Sequence, residues 1–159
     1  MHSANILFFL LASLATADGN WFKTCGEEFE LQAEGRTLVA TCGNGNQYPG
    51  DPNKILSIKT ALDLNNCFEF APPGGIKHAP KGGFFNPPYG CGSCWKTGNN
   101  PKDTSITCSC PDPRGDNPSI RVNLKVDLNG PIANRNGTLE CFDNNGVPVE
   151  VNRAKGLDY

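Results

Sequence analysis

Apolar and polar residues alternate along residues 120–128, which read Ile-Arg-Val-Asn-Leu-Lys-Val-Asp-Leu. This period of two predicts a β-strand that buries one face. The strand is followed by a break at Asn129-Gly130-Pro131. Beyond the break, Asn136-Gly137 supplies the two residues of positive φ that a tight turn favours, with Ile132 leading in and Thr138-Leu139 leading out. The sequence therefore predicts a short hairpin after the strand.

A weaker copy of this pattern lies upstream. Its alternating apolar positions are Leu56, Ile58, Leu62 and Leu64. Asp63-Leu64-Asn65 returns 64 residues later as Asp127-Leu128-Asn129, and the apolar run that ends at Cys42 returns 68 residues later as one that ends at Cys110. These repeats predict that the chain is a doubled unit.

The first unit opens with a predicted hairpin. Apolar residues alternate on both sides of a turn at Glu34-Gly35, and Cys25 and Cys42 lie close to its open end, so we pair these two cysteines. Residues 43–53 are rich in Gly, Asn and Pro without any periodicity and predict a polar loop.

Two further segments have little regular pattern. Residues 71–90 contain many prolines and glycines and predict an irregular surface connection between the units, with a remnant strand at Gly75-Ile76-Lys77. Residues 143–159 contain a short alternation at residues 147–151 and otherwise predict a loose C-terminal tail. Because no long 3.6-residue period occurs, the predicted fold is all-β with a few short helical turns.

Length, composition and charge indicate a small exported protein. The 159 residues suffice for one domain or two fused repeats. Residues 1–17 predict a signal peptide, because an apolar core too short to span a bilayer precedes Ala15-Thr16-Ala17. A net charge of −2 offers no basic surface for nucleic acid or for an anionic membrane. Eight cysteines in an exported chain indicate disulfides, and 105 pairings are open to them.

Several landmarks together resemble the cyanovirin-N homology domain, a family of small sugar-binding proteins that is frequent in fungi. The resemblance rests on Phe22-x2-Cys25, Leu38-x-Ala40-x-Cys42, Asp63-Leu64-Asn65, Cys91, Ile106-x-Cys108-x-Cys110, Asp127-Leu128-Asn129 and the eight residues from Ile132 to Leu139. It covers residues 20–142 and implies two tandem cyanovirin-like repeats with exchanged β-hairpins. The implied domain is 18–142, with repeat one at about 20–78, the connection at about 71–90 and repeat two at about 84–142.

The resemblance also implies a disulfide framework. Secreted fungal members of the family share the Cys-x2-Cys and Cys-x-Cys pairs of the second repeat. Cys91–Cys110 is implied by analogy with Cys25–Cys42, and Cys94–Cys108 lies beside it. The exchange of hairpins then implies Cys67–Cys141.

Sugar contacts in the family come from the segment before the first cysteine, the loop after the second, and the tip of the exchanged hairpin. In this chain those positions are Lys23, Thr24, Gly43, Asn44, Gly45, Asn134, Arg135 and Asn136. Asn side chains offer sugar hydroxyls both a donor and an acceptor, although Asn and Gly are also ordinary turn residues. The resemblance thus implies a secreted lectin for oligomannose-type or related glycans, a monomer or hairpin-swapped dimer without cofactors. At the opposite end, residues 67–74 and 86–90 lack the polar pattern, and no site is expected there.

Alternative interpretations remain open. Asn136-Gly137-Thr138 is an N-glycosylation sequon, and a glycan at Asn136 could block the site. The four cysteines of the second repeat have the spacing of a zinc site, which export into an oxidising compartment disfavours. Asp63 and Asp127 could be paired catalytic carboxylates, but a structural role at strand ends is simpler, and no enzyme activity is expected. A secreted interaction protein or effector that keeps the fold without binding sugar is the main alternative function.

Overall fold

Antiparallel strands make up most of the chain in the computed structural model, which describes residues 20–80, 82–86, 88–115 and 117–151. The predicted signal peptide, residues 1–17, lies outside the described residues. A four-residue helix, α1 (Trp21–Thr24), comes first, and short 3-10 turns lie at Ala33–Gly35 and Leu64–Asn66. The strands among the described residues are β1 (Cys25–Gln32), β2 (Thr37–Tyr48), β3 (Asp51–Asp63), β4 (Phe68–Phe70), β5 (Ile76–His78), β6 (Gly92–Lys96), β7 (Ser105–Pro111), β8 (Arg121–Asp127), β9 (Ile132–Arg135), β10 (Thr138–Cys141), β11 (Asn144–Asn145) and β12 (Val147–Val151).

The doubled unit that the sequence predicts is present. Strands β1, β2 and β3 form an antiparallel sheet in the first half, and β6, β7 and β8 form its counterpart in the second. Each sheet is followed by a hairpin, β4–β5 in the first half and β9–β10 in the second. The predicted all-β fold is confirmed.

The two hairpins are exchanged between the halves. Strand β10 contacts β2 and β3 of the first sheet. In the other direction, a Cβ on Gly75 of the β4–β5 hairpin would lie 3.7 Å from Leu124 Cδ1 on β8, and one on Gly130 would lie 3.0 Å from His78 Cε1 on β5. Each half thereby completes its core with a hairpin from the other, so the halves cannot separate without exposing apolar side chains.

One continuous core runs through both halves. The pleat directs alternate residues inward, so Leu38 of β2 faces Leu62 of β3, and Ile106 of β7 pairs with Val126 of β8. Its largest fully buried side chains are Trp21, Leu38, Leu62, Leu64, Phe68, Phe84, Ile106, Leu128, Ile132 and Leu139. Four disulfides reinforce the core. Cys25–Cys42 is the pair that the first hairpin predicts, and Cys67–Cys141, Cys91–Cys110 and Cys94–Cys108 are the pairs that the resemblance implies.

Three segments differ from their predictions. Residues 43–53 are mostly strand and not a loop. Strand β2 continues to Tyr48 and β3 begins at Asp51, with two register shifts along the ladder. Residues 71–90 include the predicted remnant strand as β5, yet they are not all surface, since Phe84 is fully buried. The alternation at residues 147–151 is confirmed as β12, which adds an edge strand to β3, but the loose tail predicted around it is wrong for Asn144–Asn145, which form β11 and pair with β10. The rest of the predicted tail, residues 152–159, lies outside the described residues.

The structure argues against two of the alternatives, a zinc site and a pair of catalytic carboxylates. The eight sulfur atoms are bonded to one another in pairs, so the thiolates that a zinc site needs are not present. The Asp63 carboxylate accepts the Asn65 N–H at 2.9 Å, and the Asp127 carboxylate accepts the Asn129 N–H at the same distance. Both therefore close the turn that follows their strand, as the structural interpretation predicts. Across the described residues, no helix has the length and apolar character to cross a membrane.

Candidate functional site

The predicted sugar-contacting residues come from three separate elements. Lys23 and Thr24 end helix α1, the stretch from Gly43 to Gly45 lies in the outer part of β2, and residues 134–136 form the tip of the β9–β10 hairpin. The exchange of hairpins brings the tip from the second half onto the first. We call this surface the polar end, defined by Lys23, Thr24, Gly43, Asn44, Gly45, Asn134, Arg135 and Asn136.

Asn134 joins the three elements. Its Nδ2 donates to Thr24 Oγ1 and to the Gly43 carbonyl oxygen, both at 2.9 Å, and its Oδ1 accepts the Gly137 N–H at 2.8 Å. Both amide hydrogens are thus used within the protein, and the acceptor oxygen is already engaged once. The expectation that this side chain offers a sugar both a donor and an acceptor is wrong in this respect. Asn134 positions the hairpin tip and Thr24.

Glycines allow the tip to lie close to β2. A Cβ on Gly137 would be 2.9 Å from Asn44 Cβ and 3.0 Å from Ile58 Cδ1, closer than side chains tolerate. Asn136 and Gly137 have φ of 53° and 89°, as the predicted two-residue turn requires, and Arg135 pairs with Thr138 across it. The backbone of the tip therefore packs directly on Asn44 and Ile58.

The groups that remain available for a ligand at the polar end are few and mostly uncharged. Asn44 Oδ1 accepts the Asn46 N–H at 2.9 Å, while its Nδ2 has no partner among the described residues. A Cβ on Gly45 would meet nothing within 4 Å, so its backbone is open to solvent. Thr24 Oγ1 donates to the Trp21 carbonyl at 3.2 Å and accepts from Asn134, which leaves one lone pair. These groups suit hydroxyl-rich neutral ligands.

The two predicted cations differ in placement. Lys23 is exposed beside Thr24. Arg135 is one residue from Asn134 and therefore on the opposite face of β9. Its Nε lies 2.9 Å from Glu140 Oε1, and Glu140 itself is 4% exposed. The structure does not bring the Arg135 guanidinium to the face that Asn134 occupies.

The opposite end of the molecule has a cavity that the sequence did not lead us to expect. Its volume is about 330 Å³, and it is lined by Phe70, Pro72, Tyr89, Pro111, Asp112, Gly115 and Pro118. We call this the apolar end. Its residues occupy the places that correspond to the polar end: the hairpin before β5, the segment before Cys91 and the segment after Cys110. The sequence could have indicated the lining residues, because they lie at positions equivalent to the polar end relative to the repeated cysteines. It could not have indicated that a cavity remains between them.

Among the residues that line the apolar end, only Asp112 is charged. The pKa of Asp112 lies below its usual range because the carboxylate accepts the Arg114 backbone N–H, and the Arg114 side chain adds to the effect. Tyr89 is 69% exposed. So exposed a ring is not part of the core.

A larger cavity, about 620 Å³, lies away from both ends. It separates β1 and β2 from the turn after β6, and its charged lining residues are Glu28, Glu30, Lys59 and Lys96. Lys59 Nζ is 3.9 Å from Glu30 Oε2, and Lys96 Nζ lies 4.4 Å from the centre of the Phe29 ring. None of the eight predicted residues lines it. Size alone would favour this cavity as a site, but three of its four charged residues already interact with its own walls: Lys59 with Glu30, and Lys96 with the Phe29 ring.

Comparisons with known proteins identify the fold. A scan of protein-family profiles and a search of curated protein sequences gave no match. Among solved structures, a designed cyanovirin-N homolog lectin matches with a TM-score of 0.52 and 19% identity, over 76% of this chain and 97% of the other. A T. borchii CVNH structure matches with a TM-score of 0.50 and 21% identity over the same shares. At this identity the likeness concerns the fold, and the fold is that of cyanovirin-N homologs.

Proposed function

We propose that the protein is a secreted, non-enzymatic lectin that binds mannose-type or related neutral glycans at the polar end. One observation carries the proposal: Asn134 of the second half bonds to Thr24 and Gly43 of the first, 110 and 91 residues away, and so assembles one polar surface. The description of one neighbour in fold as a lectin adds support. Four disulfides agree with export, and the predicted signal peptide would direct it.

The proposed contacts follow from the groups that the fold leaves open. Asn44 Nδ2 donates to a sugar hydroxyl, Thr24 Oγ1 accepts from one, and the open backbone at Gly45 lets a ring approach closely. Lys23 borders the surface. A shallow site of this kind holds a single sugar weakly, so binding becomes useful with extended or multivalent glycans.

Asn44→Asp tests the site with little change of shape. The substitution keeps the oxygen that accepts the Asn46 N–H and removes the two amide hydrogens offered to a ligand. Loss of one hydrogen bond to the sugar should lower affinity by up to roughly tenfold. Asn100→Asp is the matched control, because Asn100 accepts the Lys102 N–H at 3.0 Å in the same kind of turn and lies outside the polar end.

The experiment is a glycan array followed by calorimetry, using oxidised, unglycosylated protein. We expect retention on oligomannose glycans, weaker binding for Asn44→Asp, unchanged binding for Asn100→Asp, and no cleavage of the bound glycan. If no glycan on the array is retained by the parent protein, the lectin proposal fails. A secreted interaction protein on the same fold then becomes the better proposal, with the apolar end as its first candidate surface.

A further inference from the structure

The hairpin tip at the polar end carries the sequence signal for a covalent modification. Asn136-Gly137-Thr138 is an N-glycosylation sequon, and it forms the turn between β9 and β10. Asn136 is exposed, and its side-chain amide has no hydrogen-bond partner among the described residues. A glycosylating enzyme could therefore reach the acceptor nitrogen without opening the core.

The acceptor lies beside the proposed binding surface. Gly137, the next residue, packs so closely on Asn44 that an added Cβ would be 2.9 Å from the Asn44 Cβ. Neighbouring Cα atoms are about 3.8 Å apart, so the Asn136 Cα is within roughly 8 Å of the Asn44 side chain. The hydrogen bonds of Asn134 to Thr24 and Gly43 hold the tip in this position. A group attached at Asn136 cannot move far from the surface.

We infer that Asn136 is an N-glycosylation site and that its glycan closes the polar end. In the modification, Asn136 Nδ2 attacks C1 of the first sugar of a lipid-linked oligosaccharide, a C–N bond forms, and the nitrogen loses one proton. The bond from C1 to the lipid diphosphate breaks, and the lipid diphosphate leaves. The inference rests on the proposed function and adds its regulation: the exported, modified protein binds free glycans weakly, and removal of the glycan opens the site.

The attached glycan interferes by occupancy rather than by unfolding the hairpin. The glycan is attached to a residue whose Cα lies within roughly 8 Å of the Asn44 side chain, so an oligosaccharide there reaches the surface where the free ligand would bind. The turn tolerates the change, because the backbone N–H of Gly137 bonds to Asn134 and not to Asn136. Stability should therefore change little while affinity falls.

Thr138 supplies a matched pair of variants that leave Asn136 and the eight residues of the polar end intact. Thr138→Val removes the sequon and keeps the branched shape that β10 accommodates, whereas Thr138→Ser keeps the sequon. Parent and variants are secreted from a glycosylating eukaryotic host, and the parent is also made in bacteria with its disulfides formed. Intact mass measures occupancy, and calorimetry with a free oligomannose glycan measures affinity.

We expect added glycan mass on the parent and on Thr138→Ser, none on Thr138→Val, and affinity at least roughly tenfold lower for the two glycosylated proteins. Enzymatic removal of the glycan, which leaves Asp at position 136, should restore affinity, because Asp tolerates the left-handed backbone there. An unmodified parent from the eukaryotic host, or a modified one that binds within about twofold of Thr138→Val, would overturn the inference. If the bacterial protein binds no glycan, the proposed function fails and the masking role falls with it, while occupancy is still decided by mass.

Discussion

Asn134→Ala separates two accounts of the polar end. If Asn134 contacts sugar directly, its loss lowers affinity and leaves folding unchanged. The structure instead gives this side chain three hydrogen bonds within the protein, two of which join the halves. We therefore expect the substitution to destabilise the fold, and affinity to fall because Thr24 and the hairpin tip lose their fixed positions.

The expected magnitude follows from the number of bonds and their exposure. A hydrogen bond contributes about 0.5–1.5 kcal/mol net, so three bonds contribute at most about 4.5 kcal/mol. The side chain is only half-buried and water can replace part of what is lost, so a value near the lower end, about 2 kcal/mol, is expected. Urea denaturation followed by fluorescence measures it from the shift of the midpoint at constant slope.

A double-mutant cycle tests the contact itself. Thr24→Val removes the hydroxyl that accepts from Asn134, and Thr24→Ser keeps it as a control. The coupling free energy between Asn134→Ala and Thr24→Val should be about 0.5–1.5 kcal/mol. An unchanged urea midpoint for Asn134→Ala, together with zero coupling, would refute this reasoning and return Asn134 to a direct role in sugar binding.

Four further predictions concern other parts of the structure. Replacing Cys67 and Cys141 by Ala should cost about 4.5 kcal/mol by the chain-entropy account, since that bridge spans 74 residues, and should increase hairpin-swapped dimer on size-exclusion chromatography. The Cys94–Cys108 bridge lies inside the hairpin that Cys91–Cys110 already closes, so its removal should cost less than the roughly 3 kcal/mol of its own loop. The pKa of Asp103 is lowered chiefly by the hydrogen bond from the Ser105 backbone N–H. The contribution of Asp103 to stability is therefore full above about pH 4 and is lost as the pH falls through its folded-state pKa. Asp103→Asn should make the urea midpoint less dependent on pH in the acid range. Tyr89→Ala should leave glycan affinity within about twofold, and loss of binding would place the sugar site at the apolar end.

Alternation of side chains predicted those strands that bury one face. In β8 the alternating residues between Arg121 and Asp127 follow the pleat, although Ile120, expected to continue the buried face, is 55% exposed. The β9–β10 turn was predictable because Asn-Gly satisfies a backbone requirement that few pairs satisfy. In each case the local sequence carries the physical cause of the structure.

The missed elements have causes that local sequence does not carry. The ladder across residues 43–57 is held by backbone N–H and C=O groups, which every residue type supplies, so polar side chains there concealed it. Phe84 lies in an irregular segment without periodicity, and it becomes core through contacts with other elements, such as the ring of Phe68. The role of Asn134 depends on partners about a hundred residues away. No periodicity reveals such a contact.

The same exchange of hairpins produces two unlike surfaces because the tips differ. At the polar end the two-residue turn Asn136-Gly137 packs directly on Asn44, because Gly137 has no side chain to hold them apart. At the apolar end residues 71–75 separate β4 from β5, and a cavity with aromatic and proline walls remains. If the polar end binds glycans as we propose, a monomer with one polar end holds one glycan branch at a time. Cross-linking of glycans by this protein would therefore require a dimer, and the hairpin exchange that builds the monomer offers a direct route to one.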